Sequence, residues 1–200
     1  MTKRPRSASF ISCDPASIHA TMSVGDSLTL GAPSNLGGFR APIFKANPGI
    51  KFVGRQFSVG YNEGYSGYRI DQIAAVVLPI IDDFSPDAIL LIAGGNDILQ
   101  GQSAAATLTE LFQFADDLMA KASIDNVLIG TIPFLITNPT VQADYNAGIL
   151  AATPAAGITC HDISSTLIYP TDFADALHPN QIGYQKMGIE FSSAIQAVLY

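Results

Sequence analysis

The chain has 200 residues, the length of one domain, and is long enough to bury a full core without disulfide or metal staples. Hydrophobic residues make up 48% and charged residues 14%, which excludes disorder as the main state. The net charge of −7 repels nucleic-acid backbones and anionic membrane surfaces, so neutral or cationic small molecules are the easier partners.

Residues 1–17 are polar, rich in Ser and Pro and without periodicity. They read as an irregular tail ahead of a single domain over 18–200. Lys3, Arg4 and Arg6 look like the basic start of a secretory leader, but Ser7 to Asp14 carries no apolar core of about 7–15 residues. No leader is recognisable, and the compartment stays open. A run of about 18 apolar residues, the minimum for a membrane span, is also missing.

Ile18 to Val24 reads as a short mixed strand that runs into Gly25-Asp26-Ser27-Leu28-Thr29. A Gly-Asp-Ser tripeptide is first of all a strand-to-helix turn, with Gly for tight curvature and Asp or Ser as helix cap. Residues 31–38 are a loop by composition, and Phe39 to Ala46 forms a helix stopped by Asn47-Pro48-Gly49. Ile50 to Gly54 is the second strand. The glycine-rich stretch Gly60 to Gly67 reads as a loop, and without a following Gly-Lys-Ser/Thr it is no phosphate cradle.

Ile70, Ile73, Ala74, Val77 and Ile81 share one helical face, which Pro79 ends or kinks. Ala88 to Ala93 is apolar at every position, as expected of a parallel strand covered on both faces, and ends in Gly94-Gly95-Asn96-Asp97. Thr107 and Glu110 stand at capping-box spacing ahead of a helix to Lys121. Val127 to Ile132 gives the fourth strand, Val141 to Ala152 a helix, and Ile158 to Ile163 the fifth strand. A last helix follows Asp175-Ala176-Leu177-His178-Pro179-Asn180, with Tyr184, Met187, Phe191, Ile195 and Val198 on one face. This alternation predicts one α/β domain with a five-stranded parallel sheet and helices on both faces.

In such sheets, reactive groups gather on loops at the carboxyl ends of strands. Ser27, Gly64, Asn96 and the pair Asp175 and His178 all fall there. Acyl transfer needs a nucleophile, a base titrating near neutrality, a group that fixes the base's tautomer, and donors for the oxyanion. His178, in a polar loop three residues after Asp175, is the preferred base for Ser27. His161 with Asp162 is the rival, weakened because neighbours in a strand point to opposite faces. His19, at the start of the first strand, reads as a packed or surface histidine. Cys13 and Cys160 are the only cysteines; one disulfide is open to them, nothing requires it, and no Cys/His spacing suggests a metal. Cys160, in an apolar run, reads as a structural thiol.

Gly25-Asp26-Ser27-Leu28, the Gly64 loop, Gly94-Gly95-Asn96-Asp97 and Asp175-Ala176-Leu177-His178-Pro179 resemble the four blocks of the GDSL or SGNH hydrolases. Gly38-Phe39-Arg40-Ala41-Pro42, Phe52-Val53-Gly54-Arg55-Gln56 and Asn62-Glu63-Gly64-Tyr65-Ser66-Gly67-Tyr68 are similar to carbohydrate esterase family three, acetylxylan esterases and relatives. Tyr65 stands where that family usually has a histidine. The resemblance implies a three-layer, flavodoxin-like α/β/α sandwich and no cofactor or metal. It implies Ser27 as nucleophile, His178 as base and Asp175 as its orienter. The oxyanion donors it implies are the Ser27 and Gly64 backbones and the Asn96 side chain. The expected activity is hydrolysis of short acyl esters, acetyl groups on carbohydrate first, through an acyl-enzyme. Lysophospholipase, thioesterase or arylesterase activity and a non-catalytic glycan-binding module are the alternatives.

Overall fold

The computed structural model describes residues 18–34 and 36–199. The N-terminal tail, and with it Cys13 and any pairing to Cys160, lies outside the described residues.

The sheet is built on β1 (His19–Gly25), with β5 (Ala88–Ile92), β6 (Asn126–Gly130) and β7 (Ile158–His161) stepping away from it in parallel. On the other side of β1 lie β2 (Ile50–Phe52), paired with its first half, and β4 (Tyr61–Gly64), paired with its last residues, both parallel. The two-residue β3 (Gln56–Phe57) closes that edge antiparallel to β4. The sheet therefore has seven strands in the order β3-β4-β1-β5-β6-β7, with β2 beside β1, where the sequence predicts five. The main correction concerns 60–67: its first half is strand β4, and Asn62 and Glu63 in it are fully buried. Polar residues hid the strand because their hydrogen bonds, and not an apolar face, make them buriable.

Helices α2 (Arg40–Ala46) and α8 (Gln181–Leu199) cover one face. On the other lie α3 (Ile70–Val77), α6 (Ala104–Met119) and α7 (Pro139–Ala151), giving the expected three layers. Between α3 and β5 the chain makes the single turn α4 (Ile81–Phe84), so the predicted helix does end at Pro79. The start of α6 differs from expectation: Ser103, not Thr107, is the N-cap, its Oγ accepting from Ala106 N at 3.3 Å. Thr107 is buried one turn inside, donating to the Ser103 carbonyl at 3.0 Å. β5 and β6 are completely buried from Ala88 to Ile92 and from Val127 to Ile129, which places the rigid centre of the sheet under the ends of β1 and β5. Two short helices open from those ends: α1 (Ser27–Leu30) and α5 (Gly95–Leu99).

Candidate active site

β1 ends at Gly25, where φ is +156° and a Cβ would sit 1.9 Å from the Ile92 carbonyl oxygen. Only glycine lets the chain turn this close to β5. Asp26 then caps α1, its Oδ1 accepting from Leu28 N at 2.9 Å. Ser27 is the first residue of α1, so its N–H has no acceptor within the helix. The far end of α1 is held by Arg40, a fully buried residue of α2. Its guanidinium donates to the carbonyls of Thr29 and Leu30 and, at 2.7 Å, to both the carbonyl and the hydroxyl of Ser58. A cation at the C-terminal carbonyls of a helix is favourably placed. Burial lowers the Arg40 pKa to about 10.

The segment before α8 is organised by Asp172 and Asn180. Buried Asp172 pairs with Lys186 of α8 at 2.6 Å and accepts from Ile168 N at 2.7 Å. Asn180 Oδ1 accepts from Ile182 N and Gly183 N at the start of α8, and its Nδ2 donates to the Thr171 carbonyl at 2.8 Å. Between these anchors, Ala174 N donates to the His178 carbonyl at 2.9 Å and Phe173 bridges Pro179. Asp175 Oδ1 accepts from Leu177 N at 2.8 Å and His178 N at 2.7 Å, closing the tight turn that brings the two side chains together. Asp175 Oδ2 lies 2.9 Å from His178 Nδ1, and His178 Nε2 lies 2.9 Å from Ser27 Oγ. Partial burial would push the Asp175 carboxyl up, but the N–H groups and ring of His178 and the Leu177 N–H outweigh it and hold its pKa below the usual range. That arrangement selects the His178 tautomer with the proton on Nδ1, leaving Nε2 to accept from Ser27.

The rival histidine pair separates. His161 Nε2 meets Thr159 Oγ1 at 2.8 Å, whereas Asp162 accepts from Thr131 Oγ1 at 3.1 Å and from the backbone of Ser164 and Ser165. His19 opens β1 at the end opposite Ser27. Cys160 is half-buried, and burial raises its thiol pKa.

Asn96, in the first turn of α5, points its Nδ2 at the Tyr68 carbonyl (2.9 Å) and at Asp26 Oδ2 (3.4 Å). Gly64 ends β4 opposite Gly25, and a Cβ on it would lie 2.3 Å from Leu30 N. Its N–H donates to Asn62 Oδ1 at 3.0 Å, so any bond from this N–H to another acceptor requires Asn62 to release it. Sequence reasoning missed the support beneath it. Fully buried Glu63 accepts from the Arg55 backbone and guanidinium and from the Tyr65 hydroxyl. Burial and the Glu63 carboxylate raise the Tyr65 pKa to about 12, against the opposing pull of Arg55. The signal was the Arg55 and Glu63 pair flanking short apolar segments, but only the pairing of β3 with β4 brings them together.

A narrow cleft of about 10 Å³ beside Ser27 is lined by Leu28, Leu99, Ile132, Pro133, Leu135 and Leu177. Asn146 and Gln142 of α7 clamp the backbone of Ile132, donating to its carbonyl at 2.8 and 3.2 Å. A larger apolar cavity of about 560 Å³, lined by Phe44, Phe52, Phe57 and Tyr61, lies near the start of β1, away from these groups. Among the described residues no group of three or more His, Cys, Asp or Glu side chains is arranged to hold a metal ion, and no helix is long and apolar enough to cross a membrane.

The chain is 28% identical over 224 residues to a multidomain esterase from Ruminococcus flavefaciens, a match covering 89% of this chain and 28% of that protein. The chain therefore spans less than a third of the length of this relative. A family 3 carbohydrate esterase from Clostridium thermocellum has the same fold, with a TM-score of 0.77 and 27% identity over 91% of this chain and 97% of that one. A carbohydrate esterase family 3 from Talaromyces cellulolyticus superposes with a TM-score of 0.77 at 17% identity, covering 91% and 98% of the two chains. Residues 23–186, from the end of β1 to the first turns of α8, match the GDSL-like lipase/acylhydrolase family, and the chain belongs to that family.

Proposed function

We propose that the protein is a serine ester hydrolase that removes short acyl groups, acetyl above all, from carbohydrate through an acyl-enzyme on Ser27. The observation that carries this reading is the continuous chain from Ser27 Oγ through His178 to Asp175, with both links at 2.9 Å. Ser27 Oγ attacks the acyl carbonyl carbon while its proton passes to His178 Nε2, and Asp175 stabilises the imidazolium. The tetrahedral oxyanion is held by the Ser27 N–H and the Asn96 carboxamide, joined by the Gly64 N–H once Asn62 releases it. Collapse returns the His178 proton to the departing alcohol and leaves the acyl group on Ser27. Water, deprotonated by His178, then cleaves that ester and regenerates the serine.

Small acyl groups are favoured by the cleft beside Ser27, whose volume of about 10 Å³ is far below that of a drug-sized pocket and leaves room for a group of only a few atoms. Its wall at Ile132 is clamped by α7 and cannot readily retreat. A carbohydrate alcohol is supported by the likeness to family 3 carbohydrate esterases and the multidomain esterase. The test is acetate release from acetylated xylan and acetylated monosaccharides, with longer-chain esters as competitors, by wild type and Ser27→Ala. Loss of release in the variant, with acetylated carbohydrate preferred, supports the reading. Equal rates in both proteins overturn the mechanism, preference for long acyl chains overturns the substrate, and binding of acetylated glycan without acetate release by wild type favours a non-catalytic module.

A further inference from the structure

The Asn96 carboxamide must present its nitrogen, not its oxygen, toward the carbonyl oxygen of the substrate if it is to stabilise negative charge there. Nothing in an asparagine side chain chooses between these two orientations; its neighbours do. The two groups within reach of this end of Asn96 are the Tyr68 carbonyl, at 2.9 Å, and Asp26 Oδ2, at 3.4 Å. A carbonyl can only accept, and an ionised carboxylate can only accept, so together they turn the amide nitrogen inward.

The two bonds are unequal in a useful way. The Tyr68 bond has ordinary length and fixes the plane of the amide, whereas the Asp26 bond is longer than the usual range for N–H···O. The second N–H is therefore aimed but weakly held, and a developing oxyanion competes for it at little cost. Asp26 itself has little freedom. It is 2% exposed, and its other oxygen is tied to Leu28 N in the cap of α1. The start of α5 does not crowd the carboxylate, since even a Cβ at position 95 would come no closer than 3.7 Å to Asp26 Oδ2.

We infer that Asp26 is a positioning residue for Asn96: one buried carboxylate caps the helix that carries Ser27 with one oxygen and aims the Asn96 amide N–H with the other. The nucleophile and the oxyanion donor, on short helices that follow different strands, are thus registered to each other through a single side chain. This inference rests on the proposed esterase reading and gives Asp26 a task beyond that of a turn residue.

The test is a double-mutant cycle between positions 26 and 96, with kcat and KM measured on a chromogenic acetyl ester and thermal midpoints recorded for every variant. Asp26→Asn keeps an oxygen for the cap but sets an amide N–H₂ against that of Asn96. Asp26→Ser keeps a capping oxygen and has no atom that reaches Asn96. Each is expected to lower kcat by about 10–100-fold with KM changed less than about threefold. Asn96→Ala alone is expected to cost about 10²–10³-fold in kcat. In the Asn96→Ala background, either change at Asp26 is expected to cost less than about threefold, because the group it aims is gone. Full loss in both backgrounds means that Asp26 acts on the serine turn alone and overturns the inference, as does an unchanged kcat in the single variants. If Asp26→Asn fails to fold, the Asp26→Ser cycle decides by the same criterion. Failure of the esterase reading is distinguishable, because it shows as equal activity in wild type and Ser27→Ala before any cycle is built.

Discussion

The two halves of the site are held by different means. The serine turn is part of the core: Gly25 presses on Ile92, Ser27 is 5% exposed, and Asp26 and Arg40 are buried against α1 from either end. The Asp175 and His178 turn is a surface loop, its carboxylate half exposed, and local backbone hydrogen bonds together with the start of α8 set its shape. A buried turn makes position and stability inseparable. An exposed loop allows Asp175 and His178 to be altered without disturbing the fold, so a chemical defect and a folding defect should separate cleanly between the two regions.

Asp175→Asn is the sharpest break on the loop side. It retains an oxygen for Leu177 N and His178 N but offers a donor to His178 Nδ1, which selects the wrong tautomer, and kcat is expected to fall by about 10⁴-fold. The thermal midpoint should stay within about 2 °C of wild type, measured by calorimetry, because no buried group loses its partner. Gly25→Ala tests the core side in the opposite way. Its Cβ would meet backbone of β5 that has no room to move, so a loss of about 4 kcal/mol or more is expected in urea unfolding, whatever happens to turnover.

The charge of Asp26 sharpens the comparison through pH. Burial raises its pKa to about 6, with the Leu28 N–H and His178 pulling the other way and Asp97 adding to the rise. Asp97, itself buried, is likewise raised to about 6. The folded state therefore binds more protons than the unfolded chain between about pH 4 and 6, and these groups make stability fall as pH rises through that window. Asp26→Asn removes one of the two contributions. Its stability relative to wild type should rise by up to about 3 kcal/mol from pH 3.5 to pH 7, read from urea midpoints along the pH series. Asn180→Ala should give the smallest effect, about 1 kcal/mol, by uncapping α8 beneath the His178 loop. A modest fall in kcat without a change in KM would show that the cap also steadies the base.

Most of the parallel framework was legible because β5 and β6 are apolar runs bounded by turn residues, the mixed strands β1 and β7 lead into turn residues, and α3, α6 and α8 carry one-sided stripes. β3 and β4 were not, since Gln56, Asn62 and Glu63 are stabilised by polar partners across the short β3–β4 hairpin and not by an apolar pattern. A polar environment likewise hid Arg40, a cation inside the core that answers carbonyls and a hydroxyl from two separate segments.

The sequence by itself determined the α/β alternation, the family likeness and the types of group available for chemistry, because turn residues, apolar periodicity and short motifs are local properties. It also placed Asp175 within reach of His178, since three residues across one turn set that distance. Tertiary structure alone decided that His178 Nε2 meets Ser27 across 151 positions, that Gly64 lies beside Gly25, and that Asp26 faces Asn96. Those contacts depend on strand order and register, which bring the ends of β4, β1 and β5 side by side and which no local pattern encodes.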